Sequence, residues 1–419
     1  MKSAFLLSIM LTVSGVFAAE AQCCKHSAAE ASASDKAKVC CAKKTSEKCC
    51  EAEVVVGAAR LDSYLPLLKG KRVALFSNHT GMVGDKHTLD LMLENGVNVA
   101  MIFSPEHGFR GTADAGEHVS SSVDPVTGIK IASLYDGGKR GPSAETMNAL
   151  DVIAVDIQDV GLRYYTYYCT MIDLMNAAAK YNKEVVVLDR PNPNGMYVDG
   201  PILDMKYESG VGRLPIPVVH GMTMAELALM ANGEGWLKDG AKVKLSVVPC
   251  EGYTHSTRYV LPIAPSPNLR DMKAIYLYPA TCYFEATPVS LGRGTDFPFL
   301  AYGHPDMTGR DFEFTPKSVP GAKNPPQLGK LCHGVDLRNI TDDEAIARGV
   351  DLSFVIDAYN DPGVSKDGFF RDFFEKLIGR GDIRGMIQSG KSAAEIKATW
   401  SADVERFRQQ RKPYLLYAE

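Results

Sequence analysis

The chain has 419 residues, 45% hydrophobic and 23% charged, with a formal net charge of −4. That is ample apolar mass for two domains, and it excludes a chain too polar to build a core. No basic block is present, which leaves a polyanion surface, and hence a nucleic-acid partner, without support.

Lys2, the apolar region Ala4 to Ala18 and the small-residue patterns Val16-Phe17-Ala18 and Ala19-Glu20-Ala21 predict an export signal over residues 1–21. A periplasmic or secreted protein is therefore expected. The apolar run falls short of the ~20 residues of a membrane span, and no membrane association beyond the export signal is expected. Residues 22–53 are dominated by Ala, Ser, Lys and Glu and carry Cys23-Cys24, Cys40-Cys41 and Cys49-Cys50. With so little apolar surface they predict a disordered, cysteine-rich tether, stapled by disulfides in an oxidising compartment. The spacing matches no zinc signature. Cys169, Cys250, Cys282 and Cys332 are scattered and read as small buried hydrophobes.

From residue 54 the chain repeats one pattern, an apolar run that ends in a polar, glycine-bearing tip. Arg72–Gly81 ends in Asn78 and His79, and Val99–Gly111 in Glu106, His107 and Arg110. Asp151–Thr166 bears Asp156, Gln158, Asp159, Arg163 and Tyr165. Glu184–Gly195 bears Asp189, Arg190 and Asn192, and Ile216–Gly221 ends in His220. Segments of helical length separate several of these runs: 60–69, 88–94, 143–150 and 171–180. Thr223 to Glu226 is a capping box that opens another helix, and Val243–Val248 is a further strand. The economical fold is α/β, a parallel sheet with crossover helices over residues 54–262. Residues 111–142 read as a glycine-rich, irregular excursion.

The proline-rich stretch 259–268 reads as a linker to a smaller domain, 263–419. This has a loop-rich stretch 283–305, a β run near 350–357, a helix over 369–378 and a capping box at Ser392 that opens a terminal helix.

Polar tips converging from several strand ends make a site in an open α/β sheet. GxSxG, HExxH and a strand-linked GxGxxG are all absent, so no metal or nucleotide cofactor is expected. What remains is carboxylates, Glu106, Asp156 and Glu285, among arginines, tyrosines and asparagines. That mixture suits glycoside hydrolysis, in which two acidic groups flank the scissile bond and the rest grip hydroxyls. Asn78, His79, His107, Arg110, Gln158, Arg163, Tyr165, Arg190, Asn192, His220 and Arg293 are the candidate substrate contacts. Arg293, between Gly292 and Gly294, is placed to grip a carboxylate. A sugar-binding protein without catalysis is the alternative from another class.

FSNHTG, SPEHGFRG, DIQDVGLRYYTY, DRPNPNG, GPILD, VHGMTMAELALMANGEGWL, PSPNL and GRGTDFPF, in that order, resemble the NamZ-type exo-β-N-acetylmuramidase family over nearly all of residues 57–419. The resemblance implies a Rossmann-like sheet with helices on both faces, a smaller α+β C-terminal domain and a cleft between them. It also implies release of N-acetylmuramic acid from the non-reducing end of peptidoglycan fragments, with Glu106 of SPEHGFRG as the catalytic carboxylate. The chain departs from the family loop EGTNVSxGRGT at Ala286 and Pro288, and Asp306 stands where the family carries tryptophan. Those changes leave hydrolysis of another N-acetylated amino sugar as the alternative.

Overall fold

The structure, a computed structural model, describes residues 53–105, 109, 122–136 and 139–419. Its centre is a seven-stranded sheet. The strands are β1 (Val73–Ser77), β2 (Val99–Ser104), β3 (Ser122–Val123), β4 (Lys130–Ser133), β5 (Val152–Asp156), β6 (Glu184–Leu188) and β7 (Lys244–Val248), ordered β7-β6-β5-β1-β2-β4-β3. Every pairing is parallel except that of the short edge strand β3 with β4. β1 and β5 are buried at every residue, as central parallel strands covered on both faces must be.

Alternate residues of one strand feed two different cores. Ala74 and Phe76 of β1 and Ile153 and Val155 of β5 join one cluster, while Val73, Leu75, Val152 and Ala154 join another. This is the period-two geometry of a strand. Helices α1 (Leu61–Leu68) and α2 (Thr88–Glu94) cover the second face through Tyr64, Leu68, Leu89 and Met92. Helices α3 (Ala144–Asn148), α4 (Tyr167–Lys180) and α5 (Met224–Gly233) cover the first.

The first cluster continues without a break into the second half of the chain, through Tyr278, Tyr283, Phe374 and Trp400. That half begins with α6 (Met272–Thr281). It holds a small antiparallel sheet, β8 (Ala301–His304), β9 (Phe312–Phe314) and β10 (Cys332–Asp336), in the order β8-β10-β9. Helices α7 (Asp342–Arg348), α8 (Ser353–Asn360), α9 (Phe373–Ile378), α10 (Ile383–Gln388), α11 (Ala393–Ala398) and α12 (Ser401–Arg411) complete it.

Four expectations are corrected. The excursion 111–142 supplies two strands of the main sheet, because Ile131 and Ala132 pair with Ile102 and Phe103. Residues 350–357 belong largely to α8, whose buried Phe354, Val355, Ala358 and Tyr359 recur at helical spacing. Residues 216–221 form no ladder: Pro215 and Pro217 lack donors, and Val219 makes only isolated bridges to Leu162 and Asp199. The Ser392 helix is two helices, α11 and α12, broken at Thr399-Trp400. The capping boxes at Thr223 and Ser392 are formed as read. Cys169, Cys250, Cys282 and Cys332 are buried free thiols. Among the described residues no helix is long and apolar enough to cross a membrane.

Candidate active site

Strand order reverses at β1, with β2 and β4 to one side and β5 to β7 on the other, so the crevice lies outside the carboxyl ends of β1 and β5. Ser77 and Asp156 are register partners there. Asp156 is fully buried. Arg190 grips it with a fork, Nε to Oδ1 at 2.6 Å and Nη2 to Oδ2 at 2.9 Å, and Thr88 donates to Oδ2 at 2.5 Å. Burial lowers the Arg190 pKa, but the Asp156 charge and hydrogen bonds outweigh it and the net shift is upward. Both groups are spent on each other.

The other tips are consumed in the same way. Asn78 Oδ1 accepts from Thr80 and its Nδ2 donates to the Tyr167 hydroxyl at 2.9 Å. Gln158 Nε2 donates to two backbone carbonyls, of Asp159 and Pro191. Asn192 Nδ2 donates to Met222 O, and its Oδ1 accepts from Asn194 N. Arg163, wholly buried, donates to Pro201 O, Ile216 O and Leu377 O and so ties the two halves together. His220 is buried, with Nδ1 accepting from Met222 N; burial, aided by Arg411 and Arg163, lowers its pKa to about 3. Asn78, Gln158, Arg163, Arg190, Asn192 and His220, expected as substrate contacts, and Asp156, expected as a catalytic carboxylate, therefore build the wall and not its lining. Sequence could not separate these roles, because a loop-locking group and a ligand-gripping group are the same residue types.

Asp159 Oδ1 accepts from Gly161 N at 2.8 Å, whereas its buried Oδ2, like the buried Nε2 of His220, has no hydrogen-bond partner among the described residues. Burial raises the Asp159 pKa to about 7.

The lining proper is a cavity of about 230 Å³ between the two halves of the chain. Tyr164, Tyr165 and Tyr167, just ahead of and at the start of α4, form one side. Ser266, Leu269, Tyr278, Glu285, Arg293, Phe299 and Phe373 form the other. The proline-rich stretch is pinned between the halves: the Tyr165 and Tyr167 hydroxyls both donate to Pro265 O, at 2.8 and 3.0 Å, and His79 Nε2 lies 2.9 Å from Ala264 O. Those bonds connect the crevice at β1 to the cavity. His79 thus serves this wall, and Tyr165 is one expected contact that reaches the lining.

Glu285 and Arg293 face each other inside the cavity, Nη2 to Oε1 at 2.5 Å, with side chains 23% and 17% exposed. Burial lowers the Arg293 pKa, but Glu285 outweighs it and the net shift is upward. Among the described residues its Nε and Nη1 make no hydrogen bond. Gly292 and Gly294 both sit at φ +82, and a Cβ on Gly294 would fall 2.4 Å from Lys317 O, so glycine is required there. Sequence reading missed Tyr164, Tyr167, Tyr278, Phe299 and Phe373. Tyr278 lies on α6, where Asp271 caps the N-terminus as a propensity argument anticipates, but Pro279 hides the helix.

β2 ends on the same edge at Ser104, the first residue of SPEHGFRG. Glu106, His107 and Arg110 lie outside the described residues, as do the predicted export signal and nearly all of the tether. Phe109 is described, packed edge-on against His87 with ring centres 5.1 Å apart. No group of three or more His, Cys, Asp and Glu side chains among the described residues could hold a metal ion.

An α/β sheet whose carboxyl edge leads into a tyrosine-lined cavity with an acid–arginine pair defines a class of small-ligand proteins in which the second half of the chain completes the site. Its family can be stated. Residues 73–273 match the family model for the N-terminal part of exo-β-N-acetylmuramidase NamZ, and residues 276–417 match that for its C-terminal part. The chain belongs to that family. It is 37% identical, over 372 residues, to the peptidoglycan β-N-acetylmuramidase NamZ of Bacillus subtilis, covering 85% of this chain and 89% of that one. Two solved DUF1343 family proteins of Bacteroides fragilis share the fold. One is 59% identical, with a TM-score of 0.82, over 88% of this chain and 100% of its own. The other is 29% identical, with a TM-score of 0.74, over 87% and 99%.

Proposed function

We propose that this protein is an exo-acting β-N-acetylmuramidase, a glycosidase that releases N-acetylmuramic acid from the non-reducing end of peptidoglycan fragments. The observation that carries the assignment, beside family membership, is Arg293. It lines a tyrosine-sided cavity, is held there by Glu285 through Nη2, and among the described residues its Nε and Nη1 make no hydrogen bond. N-Acetylmuramic acid differs from N-acetylglucosamine by a lactyl ether whose carboxylate is ionised at neutral pH. A planar guanidinium meets such a group bidentately.

Glu106 of SPEHGFRG is the proposed general acid that protonates the leaving oxygen. Of the two remaining candidate carboxylates, Glu285 lines the cavity whereas Asp156 is fully buried and outside its lining, so Glu285 is the proposed second carboxylate. Tyr164, Tyr165 and Tyr167 offer aromatic surface to the sugar. The residue 1–21 pattern supports export to the periplasm or medium, which fractionation of expressing cells tests directly.

The decisive assay compares kcat/KM on matched muramic and glucosamine glycosides. The wild type should prefer the lactyl sugar, and Arg293→Ala should narrow that preference by about one to two decades, the worth of a charged hydrogen-bonded pair of roughly 1.5–3 kcal/mol. Absence of any preference in the wild type would overturn the lactyl assignment.

A further inference from the structure

Phe299 has a backbone that a phenylalanine rarely adopts. Its φ is +65°, in the left-handed region where a side chain crowds the following carbonyl. The turn that holds it does not lack glycines: Gly292 and Gly294 already occupy that region at no steric cost. The chain has kept an aromatic ring at the one position in this turn where glycine would remove strain. Such outliers persist only where the surroundings over-determine them, and they cluster at binding sites.

The surroundings are specific. Phe299 N donates to Leu291 O at 2.8 Å, and Leu300 N donates to Phe297 O at 3.1 Å, which closes the turn that carries Arg293. The ring is 1% exposed and meets Tyr278 edge-on, with centres 4.8 Å apart at 76°. The Arg293 guanidinium carbon lies 5.1 Å from the Phe299 ring centre. That is inside the ~6 Å over which an aromatic ring attracts a cation.

We infer that Phe299 is a specificity-determining positioning residue, whose strained backbone places its ring beside Arg293 and, with Glu285 on the other edge, fixes the guanidinium fork toward a bound carboxylate. Glu285 constrains only one nitrogen, so by itself it leaves the guanidinium plane free to swing about the Nη2 contact. The ring removes that freedom. The carboxylate of an acidic sugar then meets a cation already oriented, and the ordering cost is met on folding and not on binding. Phe299 lines the cavity as well, but the selective effect on an acidic sugar runs through Arg293.

The inference rests on the proposed lactyl-binding role of Arg293, and the experiment separates the two. Phe299→Leu keeps an apolar side chain of similar bulk and the backbone strain but removes the π face. It should raise KM on the muramic glycoside and narrow the muramic-to-glucosamine ratio of kcat/KM roughly threefold to tenfold. Because Phe299 also lines the cavity, the readout is the muramic-to-glucosamine ratio and not either rate alone: the loss should be larger on the muramic glycoside than on the glucosamine one. Stepwise ring fluorination of Phe299, introduced as fluorinated phenylalanines, preserves shape while draining the ring's negative face. It should narrow the ratio progressively, which a merely structural role would not do. These analogues also answer the question if Phe299→Leu fails to fold.

If Arg293→Ala narrows the ratio while the fluorinated series leaves it unchanged, the Phe299 inference is wrong and the lactyl reading stands. If the wild type has no preference and Arg293→Ala is without selective effect, the lactyl reading itself falls. An equal loss on both substrates across the Phe299 series would show packing alone and also overturns the inference.

Discussion

Asp156 and Arg190 allow a direct test of whether a strand-end carboxylate in this fold is chemistry or scaffold. Both side chains are essentially removed from solvent, and the fork between them makes two hydrogen bonds of 2.6 and 2.9 Å. Replacing Arg190 by methionine leaves the Asp156 carboxylate buried, with Thr88 still donating to it but no countercharge. Breaking a buried pair from one side costs about 3–5 kcal/mol, mostly the penalty of the stranded charge. At roughly 2 cal/mol/K of unfolding entropy per residue, a body of this length shifts by a little over ~1 °C per kcal/mol, so Tm should fall by ~4–7 °C. Asp156→Asn should cost a similar amount, because it strands the guanidinium instead. The double variant Asp156→Asn with Arg190→Met should cost clearly less than the sum of the single changes, since no unpaired charge remains. The assay is thermal or denaturant unfolding of the four proteins, with kcat measured on the same samples well below Tm. An Asp156→Asn protein with wild-type Tm and kcat reduced by ~10² or more would refute this reasoning and return Asp156 to the catalytic set.

Glu106→Gln keeps shape and hydrogen bonding but removes the ionisable proton, so turnover should fall by about 10² or more while sugar binding, followed by calorimetry with N-acetylmuramic acid, persists. Asp159 has a folded pKa raised to about 7 by burial, against about 3.9 in an unfolded chain. The folded state therefore holds the proton more tightly, and Asp159 contributes stability that is complete below pH ~4 and is lost as pH rises to ~7. The difference in unfolding free energy between wild type and Asp159→Asn, measured from pH 4 to 8, should shift against the wild type across that window and then level; a flat difference would count against the assignment. Gly294→Ala forces a Cβ against Lys317 O at 2.4 Å in a left-handed backbone, so it should lower Tm and impair the muramic substrate more than the glucosamine one. Unchanged specificity in a destabilised protein would mean that this turn does not set Arg293.

The α/β class, the central strands and the helix starts at Thr223 and Ser392 were legible in the sequence because each rests on local chemistry. Continuous apolar runs such as VALFS and VIAVD have only one way to be buried on both faces, and a capping box satisfies amide donors three residues away. The eight motifs likewise marked the family before any coordinates. The tertiary structure decided which polar tips face a ligand. Asp156, Arg190, Asn192 and Arg163 carry the same groups as a binding site, and only three-dimensional pairing shows that they are satisfied by Thr88, by each other and by distant carbonyls such as Leu377 O. It also decided the cavity, since Tyr165 and Arg293 lie far apart in sequence and meet because the second half packs against the start of α4. Strands β3 and β4, α6 with its internal proline, and the left-handed Phe299 stayed hidden for one physical reason. β4 is held by pairing with the distant β2, α6 carries a proline inside its last turn, and Phe299 is set by the turn around Leu291 and Arg293, each against what its own residues would prefer.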